Sequence, residues 1–389
     1  MGFCIASILD TDLYKLTQQL AICRCFPHEI VQYTFINRNK TIFPDGFDKE
    51  LQRLVDEFSS LALTKDMKSF LQEKCYYMDP VYLDFLHGYR FDPKEVDIQQ
   101  HDGDLKIKIT GPWYRTVLWE TPLMALICEL YYDTMKIKGM SREKKKTLNY
   151  KKIKEIAQLG VTVAEFGTRR RSSFQNHHEF LIDFIASEKR ALSGTSNPHF
   201  AMMYDLIPIG TQAHEWPMFH AAKYGYRQAN ALAMKHWVDV FQGNLGIVLP
   251  DTFTTDVFLR SFNTLYAKLF DGGRHDSGHP FTFTDKWVNH YRSLHIDSLS
   301  KTIVYSDSIN SVEVIKSIHS YAQDKIRDSY GIGTWFTNDC GVTPLNIVIK
   351  LTGVLINGTW VDTVKLSDDS MKNTGNPEAV DFCKETLLA

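Results

Sequence analysis

From Val161 onward, short apolar runs recur, and each stops abruptly in Gly, Asp, Ser, Thr, Arg or His: VTVAEFGTRRR, RALSGTSN, LIPIGTQAHEW, LGIVLPDTFTT, LFDGGRHDSG, KTIVYSDSI and SYGIGTWFT. Helix-patterned spans such as HEFLIDFIASEK, MFHAAKYGYRQANALAMKHWVDVF and SVEVIKSIHSYAQDKIR lie between them. Alternation of this kind marks parallel βα units, because parallel neighbours need a crossover long enough to hold a helix. Seven such runs predict an α/β fold with an irregular parallel βα barrel of about seven strands, TIM-like in plan. In such a barrel the loops after the carboxyl ends of the strands converge, so their polar residues are the candidates for function.

The texture before Val161 is different. A helix-like TDLYKLTQQLAICRCF is followed by strand-like VQYTFINR and alternating DLKIKITGPWYRTVLWE, which together read as a smaller α+β domain. The late runs LNIVIKLTGVLING and TWVDTVKLS look antiparallel and are expected to pack back on it. The expected division is therefore residues 1–140 joined by 345–389, and 141–344. A chain of 389 residues with 44% hydrophobic content has ample material for two cores.

Charge excludes several classes of function. With 44 basic and 46 acidic residues there is no field that would gather nucleic acid or an anionic membrane, so any polyanion site must be local. The basic stretch SREKKKTLNYKKIKEIAQLG reads as a solvated helix face and connector. Seven scattered cysteines without a CxxC pair suit reduced thiols in a cytoplasmic or nuclear compartment. No apolar segment reaches the length of a membrane span, and Gly2 lacks the Ser or Thr at position 6 that a myristoylation motif wants.

The strand ends carry the chemistry. Gly167, Gly194, Gly210, Gly272, Gly273, Gly278, Gly331 and Gly333 all fall there, beside hydroxyl or cationic residues. Glycine lets main-chain N–H groups approach phosphate oxygens, and it equally permits a tight turn with no ligand; both readings stand. Arg169 to Arg171 add cations able to grip phosphate bidentately, with at least one expected to face solvent. Arg274 and Asp276 suit phosphate, ribose hydroxyls or a Mg²⁺ complex of either, or else an internal ion pair. The dipeptide His214–Glu215 is not a zinc-protease motif, since Met218 stands where the second histidine belongs. His214 is left as an acid/base or nucleophilic candidate, or a structural histidine. Asp251 ends the next expected strand, within plausible reach of its imidazole.

Taken in order, TDLYKLT (11–17), FGTRRR (166–171), GTSN (194–197), GTQAHEW (210–216), RHDSG (274–278) and GIGT (331–334) resemble the nicotinate phosphoribosyltransferase family over nearly the whole chain. The resemblance implies formation of nicotinate mononucleotide and pyrophosphate from nicotinate and 5-phosphoribosyl 1-pyrophosphate, in NAD biosynthesis. It also implies Mg²⁺ held mainly through substrate phosphates, ATP as co-substrate, and a homodimer with shared active sites. Carried over by position, Phe166 and the partner subunit's Tyr14 would sandwich the pyridine ring, and Ser196 and Asn197 would approach the nicotinate carboxylate. Arg169, Gly331 and Gly333 would hold the 5′-phosphate, and Arg274 and Asp276 the phosphoribosyl donor. Thr211, Ser306 and Asp307 are further phosphate or ribose candidates. His214 would be phosphorylated by ATP and Asp251 would orient it. The chain has no GxxxxGK[ST] loop, so ATP and the donor are expected to use overlapping ground. A nicotinamide-using enzyme on the same scaffold and a non-catalytic phosphate-sugar binder are the competing readings; Ser196 with Asn197 in place of an aspartate favours a carboxylate substrate.

Overall fold

The structure, a computed structural model, describes residues 4–210 and 212–388; Gly2 and Thr211 lie outside the described residues. Its strands are β1 (Ile30–Asn37), β2 (Val96–His101), β3 (Asp104–Pro112), β4 (Val163–Glu165), β5 (Leu192–Thr195), β6 (Ile247–Val248), β7 (Gly272–His275), β8 (Thr302–Tyr305), β9 (Arg327–Ile332), β10 (Ile347–Ile356) and β11 (Thr359–Asp362). Contacts divide the chain into two units. The first comprises residues 1–23, 32–210 and 332–350, the second 24–31, 211–331 and 351–389.

This division runs differently from the expected one. The early barrel motifs belong with the N-terminal residues because Arg171 is tied to Asp10 by two hydrogen bonds of 2.7 and 2.8 Å, with both side chains fully buried. The last stretch belongs to the second unit because Lys365 lies against Asp251 and Lys372 against Asp307. Neither attachment follows from local pattern.

In the first unit, β2 and β3 pair antiparallel from Val96 opposite Ile109 to His101 opposite Asp104, and the sheet continues through β1 to β10. Leu105, Ile107 and Ile109 alternate inward along β3 as a half-buried strand requires. The helix Leu13–Cys25 is buried on every side from Leu13 to Ile22, its lysine and glutamines included, so it is not the amphipathic helix its pattern suggests. The basic stretch forms the helix Arg142–Gln158, and its charges are paired as well as solvated. Arg142 meets Asp183, Lys145 meets Glu179 and Lys154 meets Glu188, all on the helix Phe174–Glu188.

β4 and β5 run parallel in the same unit, and the Phe166 N–H donates to the Ile332 carbonyl at the end of β9. The strand expected at LIPIG is reduced to one parallel bridge, Thr195 with Pro208. Pro208 has no N–H to extend a ladder. The Thr195 N–H therefore donates to Ile207 and the Ile209 N–H to Thr195, and pairing stops there. Gly194 makes the approach possible: a Cβ on it would lie 2.2 Å from the Ile207 carbonyl oxygen.

In the second unit the parallel order is β6, β7, β8, β9, with Gly272 opposite Thr302 and Tyr305 opposite Tyr330. Thus six parallel strands stand among the described residues where about seven were expected. Gly272 and Gly273 serve this packing. A Cβ at 272 would sit 1.7 Å from the Thr302 carbonyl oxygen, and one at 273 would strike the Trp287 ring at 2.4 Å. None of the seven cysteines forms a disulfide among the described residues. No helix among the described residues is long and apolar enough to cross a membrane.

Candidate active site

Two clusters of polar side chains stand out, one in each unit. In the second, His214 occupies the first position before the helix Glu215–Tyr224 and is 8% exposed. Its side chain makes no capping bond, and Pro217 falls in the first helical turn, where its missing N–H costs nothing. The imidazole Nε2 lies 2.8 Å from Oδ1 of fully buried Asp251 and 3.7 Å from Oδ2 of Asp276. Asp251 follows β6, and Asp276 and Ser277 follow β7, so adjacent parallel strands deliver the cluster side by side.

Asp251 has further partners: the Ser277 hydroxyl donates to its Oδ2 at 2.6 Å, and the Lys365 ammonium is 3.5 Å from the same oxygen. Burial, then the Lys365 charge, push the His214 imidazole down to about 4 against the pull of Asp251. Burial acts to raise Asp251, but His214, Lys365 and the Ser277 hydrogen bond prevail and hold it well below the usual carboxylate range. At neutral pH the pair is a neutral imidazole donating its Nε2–H to a carboxylate. The other nitrogen, Nδ1, then carries the lone pair, and it has no hydrogen-bond partner among the described residues.

Around this pair stand the phosphate candidates. Arg274 Nε is 3.9 Å from Asp276 Oδ1 and is buried with no hydrogen-bond partner among the described residues. Ser306 Oγ donates to Asp276 Oδ1 at 3.1 Å, and Asp307 pairs with Lys372 at 2.5 Å. Asp276 is the accessible carboxylate, with 30% side-chain exposure. His214, Asp251 and Asp276 are close enough to share a metal ion. The donor set does not make a closed cage, however, because Lys365 and Arg274 already supply positive charge beside the two carboxylates. Gly331 lies inside β9 and not on the loop beyond it, while Gly333 follows the strand and precedes a short helix.

In the first unit, Arg169 is 3.5 Å from Asp12 and 3.4 Å from Glu120, and its side chain is 39% exposed. Lys15, fully buried, pairs with Glu120 at 2.5 Å. Tyr14 lies between these cations, its ring centroid 5.3 Å from Lys15 Nζ and 6.0 Å from Arg169 Cζ. Burial pushes the Tyr14 hydroxyl up, so it stays protonated. Ser196 donates to Asp12 at 2.6 Å. Asn197 is fully buried; its Nδ2 donates to Asp10 and Thr168 and its Oδ1 caps the helix Pro198–Tyr204. Both its polar atoms are engaged inside the protein. Of the three arginines, Arg171 is interior, while Arg169 and Arg170 are half-buried. Phe166 is half-buried with no aromatic partner among the described residues. Sequence reasoning missed Asp12, Lys15, Glu120, Ser277, Lys365 and Lys372; only Asp12, Lys15 and Ser277 fall inside the quoted motifs, and no spacing links the rest to them.

Residues 161–388 match the nicotinate phosphoribosyltransferase (NAPRTase) family, and residues 9–128 match the N-terminal domain of that family. The chain is 48% identical to a nicotinate phosphoribosyltransferase of Desulforapulum autotrophicum, over 98% of this chain and 99% of the relative. With that of Chromohalobacter salexigens it shares 45% identity over 98% of each. The crystal structure of nicotinate phosphoribosyltransferase from Porphyromonas gingivalis superimposes with a TM-score of 0.95 at 40% identity, covering 98% of this chain and 99% of that one.

Proposed function

The chain belongs to the nicotinate phosphoribosyltransferase family and has that enzymatic activity; from that premise we propose that His214 couples it to ATP. The carrying observation is the buried 2.8 Å bond between His214 Nε2 and Asp251 Oδ1, which leaves Nδ1 as the nucleophilic nitrogen. The Nδ1 lone pair attacks the γ-phosphorus, the bond to the bridging oxygen breaks, and ADP leaves. Transfer of the phosphoribosyl group follows: the nicotinate ring nitrogen attacks C1 of the donor as the C1–oxygen bond to pyrophosphate breaks. Hydrolysis of phosphohistidine by water then releases phosphate and resets the site. Positioning and preorganised charge are the protein's main contributions.

In the second unit, Arg274, with its unpartnered buried Nε, and Ser306, Asp307 and Asp276 receive phosphate and ribose in this reading. Mg²⁺ would be held mainly through the substrate's own phosphate oxygens, where it would neutralise pyrophosphate charge. In the first unit, Arg169 supplies the cation for an anionic group, and Phe166 and Tyr14 offer the aromatic surfaces that a flat heteroaromatic ring prefers. Exposure of purified protein to γ-labelled ATP and Mg²⁺ is expected to place acid-labile phosphate on His214 Nδ1, assigned by phosphorus NMR and peptide mapping. Turnover is expected with nicotinate and little with nicotinamide. Phosphate on Nε2, or none on His214, defeats the coupling mechanism; equal rates with both substrates defeat the carboxylate assignment.

Tyr14 closes the second face of the pyridine ring from the partner subunit in this proposal, in a homodimer with shared active sites. Mixing inactive Tyr14→Ala and His214→Ala proteins should therefore restore some activity through hybrid dimers. A fully inactive mixture, with subunit exchange verified, would count against a shared site.

A further inference from the structure

One short segment, Lys365 to Lys372, reaches the surroundings of His214 at several points. Leu366 N–H donates to the Thr252 carbonyl at 2.8 Å, directly beside Asp251. Lys365 Nζ stands 3.5 Å from Asp251 Oδ2. The Asp368 N–H donates to Ser277 Oγ at 3.1 Å, while the Asp368 carboxylate accepts from the main chain and hydroxyl of Thr255 at 2.8 and 2.5 Å. Ser277, 1% exposed, donates its own hydrogen bond to Asp251 Oδ2. At the far end Lys372 reaches the Asp276 carbonyl at 3.3 Å and the Asp307 carboxylate.

These bonds have a direction. A serine hydroxyl has one proton, and the Asp368 N–H, which can only donate, occupies an acceptor lone pair of Ser277. The Ser277 proton is thereby aimed at Asp251 Oδ2, and Oδ1 is left for the imidazole. Without the serine the carboxylate could rotate about its Cβ–Cγ bond, and without Lys365 its charge would face only His214. We propose that Ser277 and Lys365, held by the 365–368 segment, are positioning residues for the reaction: acting through Asp251, they fix His214 as the Nε2–H tautomer with Nδ1 open. Its catalytic consequence rests on the reading of His214 as the phosphoryl acceptor; its structural content does not.

The charged groups facing the imidazole are Asp251, Asp276 and Lys365, with Arg274 behind Asp276 and Asp368 behind Asp251; the neighbouring His275 ring is turned to the Gly278 carbonyl. Removing the lysine deletes the cation that opposes imidazolium. Removing the serine makes Asp251 more basic. Both changes should raise the pH at which His214 takes up a proton.

The test uses the full chain with ¹⁵N- and ¹³C-labelled histidine, with the His214 resonances assigned by their loss in His214→Gln. In wild type, His214 is expected as the Nε2–H tautomer with no protonation down to about pH 5. Lys365→Met should raise its protonation midpoint by about one pH unit or more, and Lys365→Arg should restore it. Ser277→Ala is expected to lower kcat for nicotinate mononucleotide formation about tenfold with little change in KM. Ser277→Thr keeps the hydroxyl, and a cavity of about 360 Å³ beside Ser277, Gly278 and Asp368 gives its methyl room, so it should recover most of that loss. A folded Ser277→Ala or Lys365→Met protein with unmoved His214 titration overturns the proposal, whether or not its thermal midpoint falls. Titration that moves as expected in a protein that never forms phosphohistidine supports the positioning and rejects the phosphoryl reading.

Discussion

Replacing His214 by alanine is expected to abolish phosphate incorporation from ATP and to lower ATP-stimulated formation of nicotinate mononucleotide by roughly 10²–10⁴-fold, the range typical for loss of a positioned acid/base or nucleophilic group. The fold should survive the change. Asp251 would lose one donor but keep the Ser277 hydroxyl at 2.6 Å and the Lys365 cation at 3.5 Å, so its buried charge stays compensated. His214→Gln provides the control, because a glutamine amide can restore a donor to Asp251 yet cannot accept a phosphoryl group. Product formation measured with and without ATP separates the outcomes. Both variants should converge on the rate that wild type shows without ATP. A His214→Ala protein that still responds to ATP as wild type does would remove His214 from the coupling mechanism.

The largest effect on stability is expected at the ion pair between Arg171 and Asp10. Both side chains are fully buried, two hydrogen bonds join them, and Asn197 adds a third bond to Asp10 at 2.8 Å. Removing either partner leaves the other as an uncompensated charge in the interior, at a cost of about 3–5 kcal/mol. Arg171→Met and Asp10→Ala should each show that loss in urea denaturation. The double substitution should cost less than the two together, because an apolar pair leaves no stranded charge. The pH dependence has a definite sign. Burial acts to raise Asp10, but the Arg171 charge and the hydrogen bonds from Arg171 and Asn197 bring it below its ordinary value. A carboxylate depressed in the folded state contributes stability above its unfolded pKa of about 3.9 and loses it as the pH falls through the folded value. The gap between wild type and Arg171→Met should therefore be full near neutrality and narrow below about pH 4. A gap that is constant across that range would show that the pair contributes nothing through its charge.

The same residues measure how much was legible in the sequence. Arg169, Arg170 and Arg171 read alike, as three cations after a strand; the structure leaves Arg169 half-buried beside Asp12 and Glu120 and makes Arg171 part of the core. Nothing in the spacing separates them, because their difference is set by Asp10, 161 residues away. Ser196 and Asn197 likewise read as a pair, yet Asn197 is spent on Asp10, Thr168 and a helix cap. The LIPIG run carried a strand pattern, and Pro208 reduced it to a single bridge.

The succession of strand ends, the alternation of helices with parallel strands, and the places of His214 and Asp251 at the ends of successive apolar runs are all legible along the chain. Those features are local, since apolar period, turn residues and glycine positions act within a few residues of where they stand. Only the tertiary structure decided which charges are neutralised and by what. It drew Lys365 to Asp251 over 114 positions of chain, set the Ser277 hydroxyl on the same carboxylate oxygen, and left one imidazole nitrogen without a partner among the described residues. Ion pairing and hydrogen-bond direction depend on which side chains the fold brings within a few ångströms and shields from water, and that proximity is written nowhere along the chain.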